Sequence, residues 1–270
     1  MSTVNEHGTQ HDSRFTPLIL IRDLTTLDDY TACTELQEAT WGSGFLERVP
    51  TAILRVSQMI GGVSAGAFDE DNRLVGFVFG LTGIRDRELV HWSDMLAVRE
   101  ELRSQGIGER LKQYQRDKVM ALGVNAMLWT FDPLQAGNAH FNINRLGALP
   151  VEYVPDMYGS NTGSALHGAL PTDRFIVRWE LDAPLARKDT PLYENIPLAS
   201  ADAIPDVGRV SVQIPEDFGA VRAASDDDAL RWRLQIREVV TALLARGFRV
   251  TAFHRPAAGS APFYVFERRR

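Results

Sequence analysis

The chain has 270 residues, 44% of them hydrophobic and 24% charged, which is ordinary for a soluble globular protein of one or two domains. The net charge of −6 and the single cysteine, Cys33, argue against a nucleic-acid-binding surface, a disulfide framework and a CxxC metal site. No apolar run reaches the roughly 18 residues of a membrane span, so we expect a cytoplasmic protein without a membrane partner. Residues 1–14 are polar and lack the apolar core of a signal peptide, which predicts a disordered tail.

Hydrophobic periodicity and turn residues predict an α/β domain over residues 15–182. Thr26 and Asp29 have the spacing of a capping box at the start of its first helix. The mixture of hairpins and helical crossovers implies a mixed, twisted sheet flanked by helices. The predicted elements are a strand (17–22), two helices (24–41, 51–60), three strands (63–68, 74–81, 89–98), a helix (108–122), a strand (126–131), a helix (134–146) and two strands (151–154, 175–181).

The remainder of the chain predicts a smaller β-α-β-β extension. Residues 183–205 are rich in Ala, Pro and Asp and are interpreted as a linker, and residues 206–270 as the extension itself. So short a segment buries little core alone, so we expect it to pack on the first domain or on a partner chain, and its strands would be able to extend the main sheet. The apolar positions of its helix are Leu230, Leu234, Val240 and Leu244.

The sharpest local motif lies between the strand that ends at Val98 and the next helix. It is Arg103-Ser-Gln-Gly106-Ile-Gly108. Two glycines allow backbone amides to approach an anion, and the helix N-terminus adds unpaired N–H groups, so a pyrophosphate is the natural ligand. The motif is not a dinucleotide-binding fingerprint, because Leu111 stands where a third glycine is needed, nor does it contain a Walker Gly-Lys-Ser/Thr.

With the strand Met95-Leu-Ala-Val98 before it, this loop resembles the Q/R-x-x-G-x-G/A signature of the GNAT superfamily of N-acetyltransferases. The stretch Asn138-Ala-His-Phe-Asn…Leu146-Gly147 is similar to a later helix of that family, and the order of elements from 17 to 181 also agrees. The extension has no counterpart in a minimal GNAT domain.

The resemblance implies that acetyl-CoA, or another acyl-CoA, is the co-substrate, bound mostly through backbone amides. No metal is expected. The strand would pair with the pantetheine, the loop would hold the pyrophosphate, and the later helix would lie near the thioester. The residues implied are Leu96, Ala97 and Val98; Arg103, Ser104, Gln105, Gly106, Ile107, Gly108 and Glu109; and Asn138 and Phe141.

The resemblance also implies an acyltransferase acting on an amine of a small molecule or peptide. Asp94 matches the carboxylate that serves as base in many members, with Glu88 as a substitute, and strand alternation places Asp94 on one face with Trp92, Leu96 and Val98. No tyrosine stands at 141–145, where the family's acid is found, so we assign that role to Tyr158, with Tyr153 as the alternative. Trp41 and Trp92 are candidates for lining the substrate pocket.

Other readings remain at this point. The segment Gly62-Val-Ser64-Ala-Gly66 matches G-x-S-x-G, but a helix precedes it and a strand follows, which reverses the context of a nucleophile elbow. The histidines have no metal-binding spacing. The missing tyrosine also allows a non-catalytic acyl-CoA-binding module, and a structural protein with a relic fold is a third reading. A homodimer is compatible with the sequence.

Overall fold

The computed structural model describes residues 18–159, 162–164, 170–183, 195–256 and 260–268. The predicted tail at 1–14 and the stretch 184–194 of the predicted linker at 183–205 lie outside these residues. The α-helices are α1 (Leu27–Trp41), α2 (Thr51–Met59), α3 (Ile107–Met120), α4 (Ala136–Ala139), α5 (Phe218–Ala224) and α6 (Asp226–Ala245). A 3-10 helix spans Glu100–Leu102, and a π-helix over His140–Arg145 continues α4. The strands are β1 (Leu20–Asp23), β2 (Val63–Phe68), β3 (Leu74–Arg85), β4 (Glu88–Val98), β5 (Ala126–Phe131), β6 (Leu149–Val154), β7 (Arg174–Glu180), β8 (Arg209–Gln213), β9 (Phe248–His254) and β10 (Phe263–Arg268).

The main sheet confirms the predicted mixed α/β fold. In the described ranges its strand order is β1-β2-β3-β4-β5-β7-β6, and β4–β5 is its parallel pair. The register between β4 and β5 joins only Val90–Trp92 to Ala126–Leu128, so the two strands part beyond Trp92 and Leu128. This split opens the sheet towards solvent on the side where both strands end.

Helices cover both faces of the main sheet. On one face α3 buries Leu111 and Val119 in the larger apolar cluster, and on the other α1 and α2 enclose a cluster that contains Phe77 and Phe79. Burial of a side chain of this size stabilises the fold by about 1.5–3 kcal/mol. Within the described part of the chain, no helix is both long enough and apolar enough to cross a membrane.

The capping box at the start of α1 is confirmed. The Asp29 N–H donates to Thr26 Oγ1 at 3.1 Å, and the Thr26 N–H donates to Asp29 Oδ2 at 3.2 Å. Arg22 donates to both oxygens of the same carboxylate, at 2.7 and 2.9 Å. The arginine side chain holds the pKa of Asp29 well below its ordinary value, so the carboxylate that caps α1 also ties it to β1.

A β-bulge in β4 changes which side chains share a face. Met95 pairs with Phe79 and Ser93 with Gly80, which leaves Asp94 as the extra residue. Leu96 packs against the cluster beneath α3, whereas Trp92 packs against a small cluster on the opposite face. The expectation that strict alternation places Trp92 on the face of Leu96 and Val98 is therefore wrong, because alternation restarts at a bulge.

The extension forms a sheet of its own. Its described strands have the order β8-β10-β9, so they do not extend the main sheet as the sequence allowed. Helix α6 buries Ile236, Val240 and Leu243, while Leu230 and Leu234 remain 38% and 45% exposed. The predicted apolar stripe of α6 is thus only partly right, and α5 was not predicted.

Ion pairs and hydrogen bonds join the extension to the main domain. Arg233 donates to both oxygens of Asp132, at 2.7 and 2.6 Å, and Arg237 donates to Asp173, at 2.9 and 2.5 Å. The Tyr264 hydroxyl donates to the Pro133 carbonyl at 2.7 Å. Arg233, Asp173 and Tyr264 are all buried. The extension therefore packs on the first domain through hydrogen bonds and ion pairs that include buried side chains.

Candidate active site

A cavity of about 660 Å³ lies where β4 and β5 part. Its two sides come from different parts of the chain. We call one side the coenzyme A wall, residues 94–109 with Asn138 and Phe141. We call the other side the acceptor wall, which consists of Trp41, Glu47, Tyr158, Arg174 and Arg222. All five acceptor-wall residues line the cavity, as do Asn138 and Phe141.

Part of the coenzyme A wall lines the cavity and part lies beside it. Leu96, Ala97, Val98 and Arg103 line it. The remaining predicted contacts, Ser104, Gln105, Gly106, Ile107, Gly108 and Glu109, do not. Gly108 is nevertheless adjacent to it, because a Cβ built on Gly108 would lie 3.7 Å from Leu96 Cδ2 and 3.9 Å from Phe141 Cζ.

The loop at the coenzyme A wall has the backbone conformation that an anion site needs. Gly106 has φ +80° and precedes α3 without a side-chain cap, so the N–H groups of the first helical turn remain available. Nothing in the described residues lies within 4 Å of the Cβ position of Gly106, which leaves open space there. Ser104 is also left-handed, with φ +64°. These features fit a pyrophosphate held by backbone amides.

The Asp94 carboxylate faces the cavity from the bulge of β4. Its side chain is exposed to the cavity, yet the surrounding protein atoms desolvate it. Burial raises the pKa of Asp94, and a hydrogen bond from the Trp92 side chain opposes part of that shift. Trp92 does not line the cavity. It lies behind Asp94 rather than in the substrate pocket.

Tyr158 reaches the cavity from the segment after β6. Its hydroxyl lies 3.0 Å from Thr130 Oγ1 on β5. Burial raises the pKa of Tyr158, and the nearby Asp94 carboxylate adds to the shift, so the phenol holds its proton at neutral pH. The alternative Tyr153 instead donates to Asp173 at 2.5 Å and does not line the cavity.

Glu47, between α1 and α2, was missed by sequence reasoning. Burial raises its pKa, and the neighbouring Asp94 carboxylate raises it further. Trp41 stacks on Phe45 with ring centroids 5.6 Å apart and completes this side of the cavity. Glu88, the substitute base, pairs instead with Arg178 at 2.6 Å and does not line the cavity. No local motif marks Glu47, because only the fold brings the loop between α1 and α2 close to Asp94 on β4.

Three further arginines of the cavity were also missed. Arg174 comes from β7, Arg222 from α5 and Arg233 from α6. Arg174 lies over the Tyr158 ring, with its guanidinium carbon 5.4 Å from the centroid. The extension thus supplies part of the lining through Arg222 and Arg233, and also through Phe218 and Gly219. Sequence reasoning had no signal for these residues, because they meet only in the folded chain.

The described residues also bear on the G-x-S-x-G match and on metal binding, neither of which the sequence favours. Ser64 is buried and its hydroxyl donates to the Leu54 carbonyl at 2.7 Å, which leaves no exposed nucleophile at the G-x-S-x-G match. No group of His, Cys, Asp and Glu residues able to hold a metal ion occurs among the described ranges.

Comparisons with known proteins bear on the fold of the domain that holds this cavity. Residues 31–147 match the model of the acetyltransferase (GNAT) family. The NatC complex, solved bound to Gag peptide and CoA, contains a chain with 15% identity and a TM-score of 0.50; the alignment covers 60% of this chain and 98% of that one. A structure from Acinetobacter baylyi ADP1 assigned as an acetyltransferase has 17% identity and a TM-score of 0.50, with 65% and 100% covered. At these identities the likeness shows the fold alone. No curated protein sequence matches the chain.

Proposed function

We propose that this chain, whose residues 31–147 form a domain of the GNAT acetyltransferase family, transfers an acyl group from coenzyme A to an amine of a small molecule or peptide. The observation that carries the proposal is that Asp94 and Tyr158 line the same cavity as residues 96–98, with Asp94 near enough for its carboxylate to help raise the pKa of Tyr158. A base and a proton donor thus lie next to the strand implied to hold the thioester.

The coenzyme A wall would act through its backbone. Residues 96–98 run along the cavity at the edge that β5 leaves unpaired, so their amides are placed to bind the pantetheine and polarise the thioester carbonyl. The first turn of α3 and Gly106 would hold the pyrophosphate. The NatC structure, which contains CoA, supports this class of ligand for the fold.

Asp94 would prepare the acceptor. A lysine-like amine with a pKa near 10.4 is mostly protonated at neutral pH and must lose a proton before it attacks. The raised pKa of Asp94 makes it a better base than an exposed aspartate. The new C–N bond forms as the C–S bond breaks, and Tyr158 is placed to give a proton to the departing thiolate. Holding both reactants in one cavity supplies much of the remaining acceleration.

Two measurements test the proposal. Calorimetry should show that CoA binds, and release of free thiol from acyl-CoA should depend on an added amine from a panel of small amines and peptides. Asp94→Asn should lower kcat on the order of 10²-fold or more while leaving the affinity for CoA unchanged. Asp117→Asn, an exposed carboxylate on α3, is the matched control and should behave as wild type.

The pH dependence of the rate provides a further test of Asp94 as the base. Deprotonated Asp94 is the active form, so the rate should rise as pH rises through its pKa, and Asp94→Asn should flatten that acid limb. CoA binding without amine-dependent thiol release would favour a non-catalytic acyl-CoA-binding module. An unchanged rate in Asp94→Asn would assign the base elsewhere, with Glu47 the next candidate.

A further inference from the structure

A buried lysine lies at the vertex of the split between β4 and β5. Lys112, in the second turn of α3, is only 2% exposed, yet it lines the cavity. Its Nζ donates to Ser93 Oγ at 2.6 Å and lies 3.8 Å from the centroid of the Trp129 ring. Ser93 and Trp129 are the first residues beyond the point where the two strands stop pairing.

No negative charge of the described chain neutralises this amine. Among the described residues no carboxylate lies within 4.0 Å of Lys112, since its neighbours are a hydroxyl, the Trp129 ring and Met127 Sδ at 3.9 Å. Burial alone holds the pKa of Lys112 well below its ordinary value. A buried amine without an anion is costly to ionise, so structural lysines are rarely placed this way.

The polar groups behind Lys112 are already satisfied and uncharged. Ser93 Oγ donates to Gln115 Oε1 at 2.8 Å, and Gln115 Nε2 lies 2.9 Å from His91 Nε2. His91 Nδ1 then lies 2.9 Å from the Thr82 hydroxyl, which donates to the Gly61 carbonyl at 2.6 Å.

Burial lowers the pKa of His91 to about 3, so this chain of hydrogen bonds carries no charge at neutral pH. The interior side of the site therefore offers Lys112 no anion. Any counter-charge has to come from the cavity.

Lys112 lies where the acyl group would end rather than where the acceptor would bind. In the proposed function the thioester lies against residues 96–98. An acyl group that continued into the gap between β4 and β5 would end at the vertex formed by Ser93 and Trp129, beside Lys112. The cavity already contains two carboxylates that suit a cationic amine, Glu47 on the acceptor wall and Asp94, the proposed base for the acceptor.

We propose that Lys112 binds a carboxylate at the far end of the acyl group, so that the donor is the mono-CoA thioester of a short dicarboxylic acid. This inference rests on the proposed acyl transfer from coenzyme A and specifies its donor. Lys112 would act as a specificity-determining residue. The carboxylate would complete the lysine's hydrogen bonds and supply the missing charge, and the amine would take up a proton as the ligand binds.

Binding of two thioesters without any acceptor provides the first test. Succinyl-CoA and butyryl-CoA have acyl groups with the same number of carbons, and only the first ends in a carboxylate. Wild type should bind succinyl-CoA at least about tenfold more tightly than butyryl-CoA, a difference of about 1.4 kcal/mol. Calorimetry at neutral pH in buffers of different ionisation enthalpy should detect proton uptake with succinyl-CoA and none with butyryl-CoA.

A variant provides the second test. Lys112→Met keeps the length of the side chain and removes its charge, so it should abolish both the preference and the proton uptake while leaving the affinity for CoA unchanged. Lys118→Met, on the exposed side of α3, is the matched control and should retain the preference.

Several results would overturn the inference. One is equal affinity of wild type for the two thioesters. Another is an unchanged preference in Lys112→Met. If Lys112→Met lost activity only with acceptors that carry a carboxylate, the anion would belong to the acceptor instead. Acylation of Lys112 itself, seen by mass spectrometry, would make the lysine a nucleophile. If CoA itself does not bind, the proposed function fails. If CoA binds and acetyl-CoA is used as readily as succinyl-CoA, only the present inference fails.

Discussion

The two walls of the cavity differ in how the chain builds them. The coenzyme A wall comes mainly from one stretch, residues 94–109, and presents backbone groups whose directions are set by a strand, a loop and a helix start. The acceptor wall combines side chains from positions as distant as Trp41, Tyr158 and Arg222. The first wall depends on local conformation, whereas the second depends on how the extension and two loops pack against the sheet.

Different kinds of substitution should therefore disrupt binding at each wall. A backbone site should be sensitive to changes in φ and tolerant of changes in side chain. A side-chain site should be sensitive to loss of the contacts that hold its elements together, even when those contacts lie outside the cavity. Four substitutions, ordered by expected effect, separate these cases.

The largest effect is expected at Gly106. Its φ of +80° suits glycine, and a β-branched side chain would be strained there and would fill the open space in front of the first turn of α3. Gly106→Val should abolish CoA binding in calorimetry while the far-UV circular dichroism stays native. The control is Gly83→Val, an exposed glycine with open space and no positive φ. Unchanged CoA affinity in Gly106→Val would remove the loop from the site.

Asp173 tests whether the extension maintains the acceptor wall. This buried carboxylate accepts hydrogen bonds from Arg237 and Tyr153, which outweigh the effect of burial and lower its pKa. Asp173→Ala leaves Arg237 without its partner and should cost about 3–5 kcal/mol in urea unfolding, with an increased KM for the acceptor.

The comparison for Asp173 is Asp206→Ala, which removes a surface ion pair with Arg268 and should change stability little. The depressed pKa of Asp173 contributes stability that is present above the unfolded value near 3.9 and is lost as pH falls through the folded pKa. A stable Asp173→Ala variant with normal acceptor kinetics would show that the ion pair does not support the wall.

Tyr158→Phe tests the proton donor. The phenol is protonated at neutral pH, and without it the thiolate would take its proton from water, so kcat should fall by about tenfold or more. The KM for acyl-CoA should stay the same, and the basic limb of the pH profile should flatten. Tyr114→Phe, whose hydroxyl donates to Asp23 on β1, serves as the control. Equal rates for wild type and Tyr158→Phe would leave the thiolate without an assigned acid.

The smallest effect is expected from Arg103→Ala. The Arg103 side chain is exposed and its Nε donates to the Val98 carbonyl at 3.2 Å, while the proposed anion contacts are backbone amides. The Kd for CoA should therefore rise by less than about tenfold in calorimetry. A loss as large as that of Gly106→Val would mean that the coenzyme A wall relies on a side-chain charge after all.

Much of the fold was predictable because its signals are local. The strand predicted at 126–131 is β5 as observed, and the capping box at Thr26 and Asp29 forms as expected. The loop after Val98 was recognisable because its two glycines and the helix start are neighbours in sequence, and Asp94 was found through the resemblance that this loop carries. Even here the bulge in β4 was not predicted. It lies opposite Gly80 on the partner strand, where a Cβ would lie 2.3 Å from His91 Nε2.

By itself, the sequence determined the order of elements and the glycine loop before α3, because hydrophobic period, glycine and capping residues act over a few positions, whereas the candidate carboxylate at Asp94 came from the resemblance to the GNAT family. Only the tertiary structure decided that Arg233 faces inward from α6, that Glu47 lies near Asp94, and that Lys112 stands at the split without an anion. Those features arise from long-range packing and desolvation, which place groups together that no local pattern connects.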